Sequence, residues 1–470
     1  MPKRTSTSPI AEDPRRSLPS IHAVLHAYRE AGGAFEDWAI KPIVQQELNA
    51  LRSAISSGDR ARAFPLDVVG DLVERLRALD QPKLESMLNG TGVIIHTNLG
   101  RAQVSEETAD AMARAATSSV TLELDRATNQ RGQRMSEISQ LMTALTGAES
   151  ALLVNNNAAA ILLTLSAMAK GKEVIISRGE SVEIGGGFRI PDVLDQSGAL
   201  MVEVGTTNRT YAADYERAIN AETVAILKVH PSNFNITGFV HAPSLPDLTA
   251  IAHAKRVALI EDQGSGALID PSRFGLSGER TITQSLDEGV DLITMSCDKL
   301  LGGPQGGIVA GKRSMIDRIA KHPLARAVRA DKTTLAGVAE TLRHYARGEA
   351  LTKIPVWRMI AAPLSDLESR GRRICSAVGG ASFDLASSEA TVGGGSLPGQ
   401  TLPSLALSPR LPAGIEIDRF AQMLRMGSPG VFSRVSDGKL LIDLRTILPE
   451  DDDRLIASLG VLAPALEVPG

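Results

Sequence analysis

The sequence is poor in aromatic residues, in cysteine and in long apolar runs. Phe, Trp and Tyr make up 3% of the 470 residues, so base-stacking platforms are not expected to dominate a contact with RNA. The only two cysteines, Cys297 and Cys375, argue against a disulfide framework and fit a reducing compartment. No apolar run reaches the length of a membrane span, and residues 1–20 lack the apolar segment of a secretory signal. We therefore expect a cytoplasmic protein with no membrane partner.

Excess basic charge and metal-binding spacings are also missing. The formal net charge is −4, which argues against extensive non-specific binding to nucleic acid but leaves room for a local basic face. No Cys/His cluster has the spacing of a metal site. With 43% hydrophobic and 22% charged residues, the chain has the profile of a globular protein of two or three domains.

The pattern of apolar and polar residues changes along the chain. Residues 1–20 read as a mobile arm, and residues 21–85 as a helical domain, because apolar positions recur there at helical spacing. From residue 86 to 347, strand-like and helix-like runs alternate, which predicts an α/β domain with a mostly parallel sheet covered on both faces. Its long final helix is expected at 324–347, and residues 348–470 read as a smaller α/β domain. The strand-like runs are 93–96, 151–155, 173–177, 200–204, 225–230, 257–262, 292–296 and 308–310.

Lys299 stands in the most informative stretch of the chain. The predicted strand 292–296 ends in Ser296, reaches Lys299 after three residues, and continues into a glycine-rich turn at 302–307. A rigid strand, a lysine amine and a nearby hydroxyl are what a pyridoxal phosphate site needs, because the amine condenses with the cofactor aldehyde and the hydroxyl can donate to its phosphate. The alternative is an ordinary surface lysine in a turn.

Two further strand ends offer partners for such a cofactor. Asp262 ends the run 257–262 and can keep the pyridine nitrogen protonated, although it can equally cap the turn that follows. Asn155, Asn156 and Asn157 lie between a strand and a helix, where amide groups converge in a way that suits a phosphate. Simple helix capping by asparagine is the alternative, and both roles can hold together.

The neighbouring strand ends add weaker candidates at the same edge of the sheet. Arg178 follows the strand 173–177, and His230 ends the strand 225–230. By the logic of a parallel sheet, both would face the cofactor ring or the substrate. A lone histidine is more often a structural residue, so the sequence leaves the role of His230 open.

Three arginines are candidates for binding an anion. Arg101 follows the run His96–Gly100, and Arg326 and Arg329 are three residues apart in a predicted helix, so the latter two can share one face. Two guanidinium groups suit a phosphate-like oxyanion. On spacing alone, however, a solvent-facing helix surface is the more common explanation of such a pair.

Longer motifs give the chain a family resemblance. It closely resembles the bacterial selenocysteine synthases, the L-seryl-tRNA(Sec) selenium transferases. The matching stretches are 91–102, 154–160, 177–193, 203–210, 228–233, 298–307, the arginine segment around 326–329 and the glycine-rich 393–399. These motifs are long and cover nearly the whole predicted catalytic domain.

The resemblance implies a fold-type I pyridoxal phosphate enzyme, aspartate-aminotransferase-like, in which Lys299 binds the cofactor. It implies that Arg101, Arg326 and Arg329 hold selenophosphate, which reverses the reading from spacing alone. It also implies seryl-tRNA(Sec) as the substrate, a helical N-terminal domain that grips the tRNA, and a homodecamer built as a pentamer of dimers.

The sequence departs from the family pattern at a few positions. Cys297 stands where Gly is frequent, Pro231 where Thr is common, and Leu124 and Arg126 alter an expected acidic-aromatic stretch. None of these changes removes a proposed catalytic group. The nearest rival function is a pyridoxal phosphate lyase of the same fold that acts on a free amino acid or amino sugar acid. A cofactor-binding or tRNA-binding protein without catalysis is a second.

Overall fold

The computed structural model describes residues 18–57, 67–379, 382–412 and 414–466. The chain divides into two compact units, Met1–Ser86 and Met87–Gly470. Most of the predicted mobile arm, residues 1–20, lies outside the described residues. Among the residues described, no helix combines the length and the apolar character that crossing a bilayer requires, and no group of His, Cys, Asp and Glu side chains could hold a metal ion.

The first unit is helical. Its helices are α1 (Ile21–Glu30), α2 (Asp37–Ser57) and α3 (Val68–Asp80). They bury one apolar face each in a common cluster that includes Val24, Tyr28 and Leu48, all fully buried. The hydroxyl of Tyr28 donates a 2.6 Å hydrogen bond to Asp80, which ties the first helix to the end of the third.

The second unit contains the remaining elements. Its strands are β1 (Leu88–Asn89), β2 (Ser150–Val154), β3 (Glu173–Ser177), β4 (Leu200–Val204), β5 (Thr223–Val229), β6 (Ala258–Gly264), β7 (Leu292–Ser296), β8 (Gly307–Gly311), β9 (Phe383–Gly393), β10 (Ser396–Pro409), β11 (Val431–Phe432), β12 (Arg434–Ser436) and β13 (Lys439–Asp443). Its helices are α4 (Glu106–Thr117), α5 (Ser136–Thr146), α6 (Asn157–Ala169), α7 (Ile190–Ser197), α8 (Ala212–Ala218), α9 (Leu245–Ala254), α10 (Ile282–Asp287), α11 (Arg313–Ala320), α12 (Leu324–Ala327), α13 (Lys332–Ala346), α14 (Ala350–Lys353), α15 (Pro355–Ala361), α16 (Leu364–Ala377), α17 (Ile417–Arg425) and α18 (Asp452–Leu462).

A seven-stranded sheet forms the centre of the second unit, in the order β2-β8-β7-β6-β5-β3-β4. Strand β8 runs antiparallel to both of its neighbours, and the pairs from β7 to β4 are parallel. Strands β2, β6, β7 and β8 are buried along their whole length. Separate apolar clusters cover the two faces, which explains why these strands read as nearly continuous apolar runs. The predicted mostly parallel α/β sheet is confirmed.

A smaller antiparallel sheet, ordered β12-β13-β10-β9, follows in the C-terminal part of the unit. The long hairpin of β9 and β10 turns at Gly393–Ser396 and pairs residue for residue from Thr391 and Thr401 onward. Sequence analysis did not predict this hairpin, because the glycine, serine and proline residues around its turn obscure the alternation of a strand.

Two predicted elements are wrong. Residues 93–96 are not a strand of the central sheet: Val93 makes an isolated bridge to Thr391, and Ile94 donates a 3.0 Å backbone hydrogen bond to the same residue. The apolar run is explained by burial of Ile94 and Ile95 against the C-terminal hairpin rather than by sheet pairing.

The helix predicted over 324–347 is interrupted. Helix α12 ends at Ala327 and α13 begins at Lys332, with the carboxylate of Asp331 accepting hydrogen bonds from the amides of Thr333 and Thr334. An N-terminal cap of this kind starts a new helix. Arg326 and Arg329 therefore do not share one helix face, and the spacing argument for the pair fails.

Candidate active site

The carboxyl ends of β5, β6 and β7 lie side by side at one edge of the central sheet. Asp262 is in register with Val229 on one side and with Thr294 on the other. The backbone amide of His230 donates a 3.0 Å hydrogen bond to the carbonyl of Asp262. Because parallel strands end at the same edge, the polar residues that close each strand converge there.

A cavity of about 270 Å³ opens at this edge. It brings together residues at or after the ends of β5, β6 and β7 with residues from the start of α6 and from the loop before α7. The residues that line it are Arg101, Asn156, Asn157, Ala158, Ile161, Ile184, Gly185, Phe188, His230, Ser232, Asp262, Gly264, Ser296, Asp298, Lys299 and Gln305.

Lys299 is buried at the cavity, with 7% of its surface exposed. Its Nζ atom lies 3.4 Å from the carbonyl oxygen of Gly395 and donates to it. Burial lowers the pKa of the Lys299 amine, the nearby positive charge of Arg101 lowers it further, and the carboxylate of Asp262 opposes both effects. A lowered pKa raises the fraction of uncharged amine, which is the nucleophilic form.

Asp262 is held by two side chains. Its Oδ1 atom accepts hydrogen bonds from Asn157 Nδ2 at 2.8 Å and from Thr294 Oγ1 at 2.9 Å. Burial raises the pKa of Asp262, whereas these hydrogen bonds and the charge of Lys299 lower it. The two hydrogen bonds fix the orientation of the Asp262 carboxylate, and burial disfavours its charged form. A cationic ring nitrogen placed beside the carboxylate would favour the ionised form.

The N-terminus of α6 forms another wall of the cavity. The side chain of Asn156 caps the helix by accepting a 2.8 Å hydrogen bond from the amide of Ala159. Strand β8 begins so close to this turn that a Cβ atom on Gly307 would lie 2.1 Å from the carbonyl oxygen of Asn156. The capping alternative thus holds for Asn156, while Asn157 orients Asp262 and Asn155 is exposed outside the cavity.

Arg101 reaches the cavity from the segment before α4. Its Nη1 atom makes a 2.9 Å ion pair with Asp298 Oδ2, next to Lys299 in the sequence. The Arg101 side chain is 37% exposed and that of Asp298 is 8% exposed. The guanidinium group therefore keeps donors free for a ligand at the mouth of the cavity.

Three other predicted residues lie outside the cavity. Arg178 is half-exposed and lies 3.4 Å from Glu203. Arg326 is exposed in α12. Arg329 forms a 3.3 Å ion pair with Glu123, while its backbone bridges to Val154 at the end of β2. The cofactor role of Arg178 and the donor-binding roles of Arg326 and Arg329 remain predictions.

The cavity has the features that pyridoxal phosphate requires. Within the described residues, three buried polar atoms around it have no hydrogen-bond partner: Asn157 Oδ1, His230 Nδ1 and Ser232 Oγ. Buried polar atoms are rarely left unsatisfied in native proteins, so these three indicate a polar ligand. Together with a buried lysine, an acidic residue and a helix N-terminus, they fit the predicted cofactor.

Cys297 is not part of this arrangement. Its side chain is fully buried in the apolar cluster below the sheet edge. Burial raises the pKa of the Cys297 thiol well above its usual range. The thiol is therefore neutral and packs as a small apolar side chain.

Sequence reasoning missed several residues of the site. Thr294 holds Asp262, and the signal for it was its register opposite a strand-ending aspartate. Glu279, buried beside His230, lies in a loop with no motif, and Gly395 comes from a hairpin almost one hundred residues after Lys299. Only the folded chain brings Glu279 next to His230 and Gly395 next to Lys299.

Comparison with known proteins identifies the family of the chain. A family model described as L-seryl-tRNA selenium transferase matches residues 87–448. The chain is 46% identical over 460 residues to the L-seryl-tRNA(Sec) selenium transferase of Clostridium perfringens, covering 94% of this chain and 97% of that protein. It is 41% identical over 445 residues to the protein of the same name from Carboxydothermus hydrogenoformans, covering 93% and 95%.

A solved structure of D-glucosaminate-6-phosphate ammonia-lyase has a similar fold. Its TM-score is 0.57, and the match covers 83% of this chain and 97% of that one at 21% sequence identity. This likeness concerns the fold alone, and the predicted fold class, that of fold-type I pyridoxal phosphate enzymes, is confirmed. With a family model spanning most of its length and relatives above 40% identity, the chain belongs to the L-seryl-tRNA selenium transferase family.

Proposed function

We propose that this protein converts seryl-tRNA(Sec) into selenocysteinyl-tRNA(Sec), with pyridoxal phosphate as cofactor and selenophosphate as selenium donor. The observation that carries the proposal is the cavity that brings buried Lys299 and Asp262 to the N-terminus of α6. Relatives named L-seryl-tRNA(Sec) selenium transferases, at 41% and 46% identity, support the reaction proposed for this chain. Overall, the β-hydroxyl of serine leaves as water, selenium adds to the same carbon, and phosphate is released.

Each part of the cofactor has candidate residues. Pyridoxal phosphate, when bound, supplies a ring that withdraws electrons from the α-carbon of an attached amino acid. Lys299 would bind the aldehyde carbon, and Asp262 would pair with the ring nitrogen. Ser296 and the first amides of α6, beside Asn156 and Asn157, would hold the phosphate.

Lys299 is also the natural proton carrier. When its amine is not bound to the cofactor, Lys299 would lie free in the cavity, where burial lowers its pKa. An amine with a lowered pKa can accept the α-proton of serine and return a proton to the leaving hydroxyl. The carbonyl of Gly395, 3.4 Å from Nζ, holds the amine at the cavity while it does so.

The donor site is proposed at the mouth of the cavity. Arg101 supports this proposal because it lines the cavity and keeps donors exposed. Arg329 is supported by the position of its backbone at the end of β2, although its side chain pairs with Glu123. For Arg329 and Arg326 to reach selenophosphate, their side chains have to leave the positions seen here.

The substrate class fits the charge of the site. In seryl-tRNA the α-carboxyl group is an uncharged ester, so the enzyme needs no carboxylate clamp and the arginines are available for the donor. The helical unit of residues 21–85 is proposed to bind the tRNA. We further propose that the protein works in the cytoplasm, where aminoacyl-tRNA is used, and as a homodecamer made of five dimers.

The proposal is tested by incubating the purified protein with seryl-tRNA(Sec) and selenophosphate, hydrolysing the ester and analysing the amino acid. Selenocysteine is expected from the wild type and none from Lys299→Ala. Lys172→Ala removes a lysine that pairs with Glu222 and does not line the cavity. This variant should behave as the wild type. Selenocysteine formation by Lys299→Ala at a near-normal rate would refute the proposal.

The donor is tested separately. Arg101→Ala, Arg326→Ala and Arg329→Ala should each raise the KM for selenophosphate more than that for seryl-tRNA(Sec), because an anion loses a charged hydrogen-bond donor. Thiophosphate as a competing donor shows whether selenium is preferred over sulfur. If Arg326→Ala and Arg329→Ala leave the KM for selenophosphate unchanged, the donor site is confined to Arg101.

The rival function, a lyase acting on a free amino acid or amino sugar acid, is not favoured. Its support is a structural likeness at 21% identity, which shows the fold alone. In the assay above, a lyase would release ammonia from free serine or an amino sugar acid without tRNA.

A further inference from the structure

Glu279 is a buried acid that the proposed mechanism does not use. It lies in the loop between β6 and α10, its side chain is fully buried, and it does not line the cavity. Its Oε1 atom accepts a hydrogen bond from the hydroxyl of Ser265, just after β6. Burial of this kind is costly for a carboxyl group, so its presence calls for a role.

Glu279 lies close to one residue that lines the cavity, His230. The Nε2 atom of His230 lies 3.5 Å from Glu279 Oε2. Within the described residues, Glu279 Oε2 and His230 Nδ1 both lack hydrogen-bond partners. The separation is just longer than a good hydrogen bond, so a small rotation of the imidazole closes the contact.

The surroundings of the pair shift the pKa values of both groups. Burial raises the pKa of Glu279 to about 7, opposed by hydrogen bonds from Ser265 and from the amide of Leu397 and by the charge of Lys299. Burial also lowers the pKa of His230 to about 4. The cations Lys228 and Lys299 lower it as well.

Other charged groups face the pair from the neighbouring strands. The carboxylate of Asp262 on β6 raises the pKa of His230. Burial raises the pKa of Glu261, the other acid near the end of β6, and the charge of Glu279 raises it slightly further. With these groups in place, the imidazole is neutral near pH 7 and carries a single proton.

We propose that Glu279 is a positioning residue that holds the imidazole of His230 and decides which ring nitrogen carries its proton. A protonated Glu279 donates to Nε2, which leaves Nδ1 as the N–H donor. An ionised Glu279 accepts from Nε2–H, which leaves Nδ1 as an acceptor. The hydrogen bond made by one ring nitrogen fixes the protonation of the other. Glu279 therefore determines whether Nδ1 of His230 is a donor or an acceptor toward the cofactor.

The inference rests on the proposed function, because it needs pyridoxal phosphate in the cavity. The test is the absorbance of the cofactor-loaded protein between about pH 5 and pH 9. The wild type should show a change with an inflection at about pH 7, where Glu279 titrates. Glu279→Gln keeps the shape but cannot ionise, so the inflection should disappear. His230→Gln should remove it too, and the double variant should match either single variant.

The outcomes separate the two proposals. A wild type that shows no cofactor band would overturn the proposed function together with this one. If the wild type shows the band and Glu279→Gln keeps the inflection, Glu279 has no such role. If His230→Gln keeps an inflection that Glu279→Gln loses, Glu279 acts directly and the positioning role is refuted.

The control is Glu288→Gln, which removes a half-buried carboxylate from the same loop and helix region beside Arg280. This variant should keep the wild-type inflection. Loss of the inflection in Glu288→Gln would also overturn the proposal. Should Glu279→Gln fail to fold, as judged by its thermal midpoint, His230→Gln alone still decides, since the inflection must disappear in it.

Discussion

The Nζ atom of Lys299 lies 3.4 Å from the carbonyl oxygen of Gly395, a residue 96 positions later in the chain. The glycine belongs to the turn of the β9–β10 hairpin, which reaches across from the smaller sheet to the edge of the central one. The hairpin therefore adds a contact to the site that the central sheet begins.

Gly395→Ala should strongly impair turnover. A Cβ atom at this position would lie 2.9 Å from Lys299 Nζ, and the backbone has a φ of +77°. The clash would push the amine out of place by a fraction of an ångström or more, and such misplacement costs up to about hundredfold in rate. Turnover with seryl-tRNA(Sec) and the absorbance of the bound cofactor are the measurements.

The control for this change is Gly399→Ala, in the same hairpin. Its φ is +75°, but no atom lies within 4 Å of the added Cβ. Both variants bear the same backbone penalty of about 1 kcal/mol, so their stabilities should be similar while their activities differ. Equal activities would show that the approach of Gly395 to Lys299 is unimportant.

Asp262→Asn should separate cofactor attachment from catalysis. The amide preserves the shape of the side chain but cannot carry the negative charge that pairs with a protonated ring nitrogen. We expect Lys299 still to bind the cofactor, with turnover reduced by about hundredfold or more. Asp195→Asn, an exposed aspartate in α7, is the control, and near-normal turnover by Asp262→Asn would contradict the assignment.

The three consecutive asparagines should differ in importance. Asn157→Ala removes a 2.8 Å hydrogen bond to the buried carboxylate of Asp262, a bond worth about 1.5–3 kcal/mol. The pKa of Asp262 should rise further, and the cofactor should dissociate faster on dialysis. Asn155→Ala, at an exposed position, should have the smaller effect. The opposite order would restore the phosphate role predicted for Asn155.

The stability of the protein should respond to pH through Glu279. Its pKa in the folded state is raised to about 7 from 4.5, so the folded protein binds the proton more tightly than the unfolded chain. This stabilisation is present at low pH and is lost as the pH rises from about 4.5 to 7. Relative to Glu279→Gln, the wild type should lose about 3 kcal/mol at most over that interval.

Denaturant unfolding of cofactor-free protein at several pH values measures this difference. Comparing the variant with the wild type cancels the other buried groups, such as Glu261, whose pKa is raised too. A constant difference between the two proteins from pH 5 to about 8 would mean that Glu279 keeps an ordinary pKa.

Much of the catalytic unit was predictable from local signals. Strand runs such as 173–177 and 292–296 were assigned to the residue, because strands buried on both faces have continuous apolar sequences. Lys299, Asp262 and His230 were found for the same reason: each lies at or shortly after the end of such a strand, and parallel strands end at one edge. The family motifs reinforced this reading.

The failures share a different cause. The run 93–96 is apolar because it packs on a hairpin distant in the sequence, and periodicity cannot distinguish that burial from sheet pairing. The break between α12 and α13 depends on Asp331 acting as a cap, which an otherwise helical pattern concealed. That break is what separates Arg326 from Arg329.

The sequence by itself determined the sheet, the lysine, its acidic partner and the family, since these depend on short-range patterns and on strand ends that share one edge. The tertiary structure alone decided that Asn157 and Thr294 orient Asp262, that Gly395 meets the Lys299 amine, and that Glu279 stands behind His230. Contacts between segments far apart in the chain produce no periodic pattern in the sequence, because they depend on how whole elements pack.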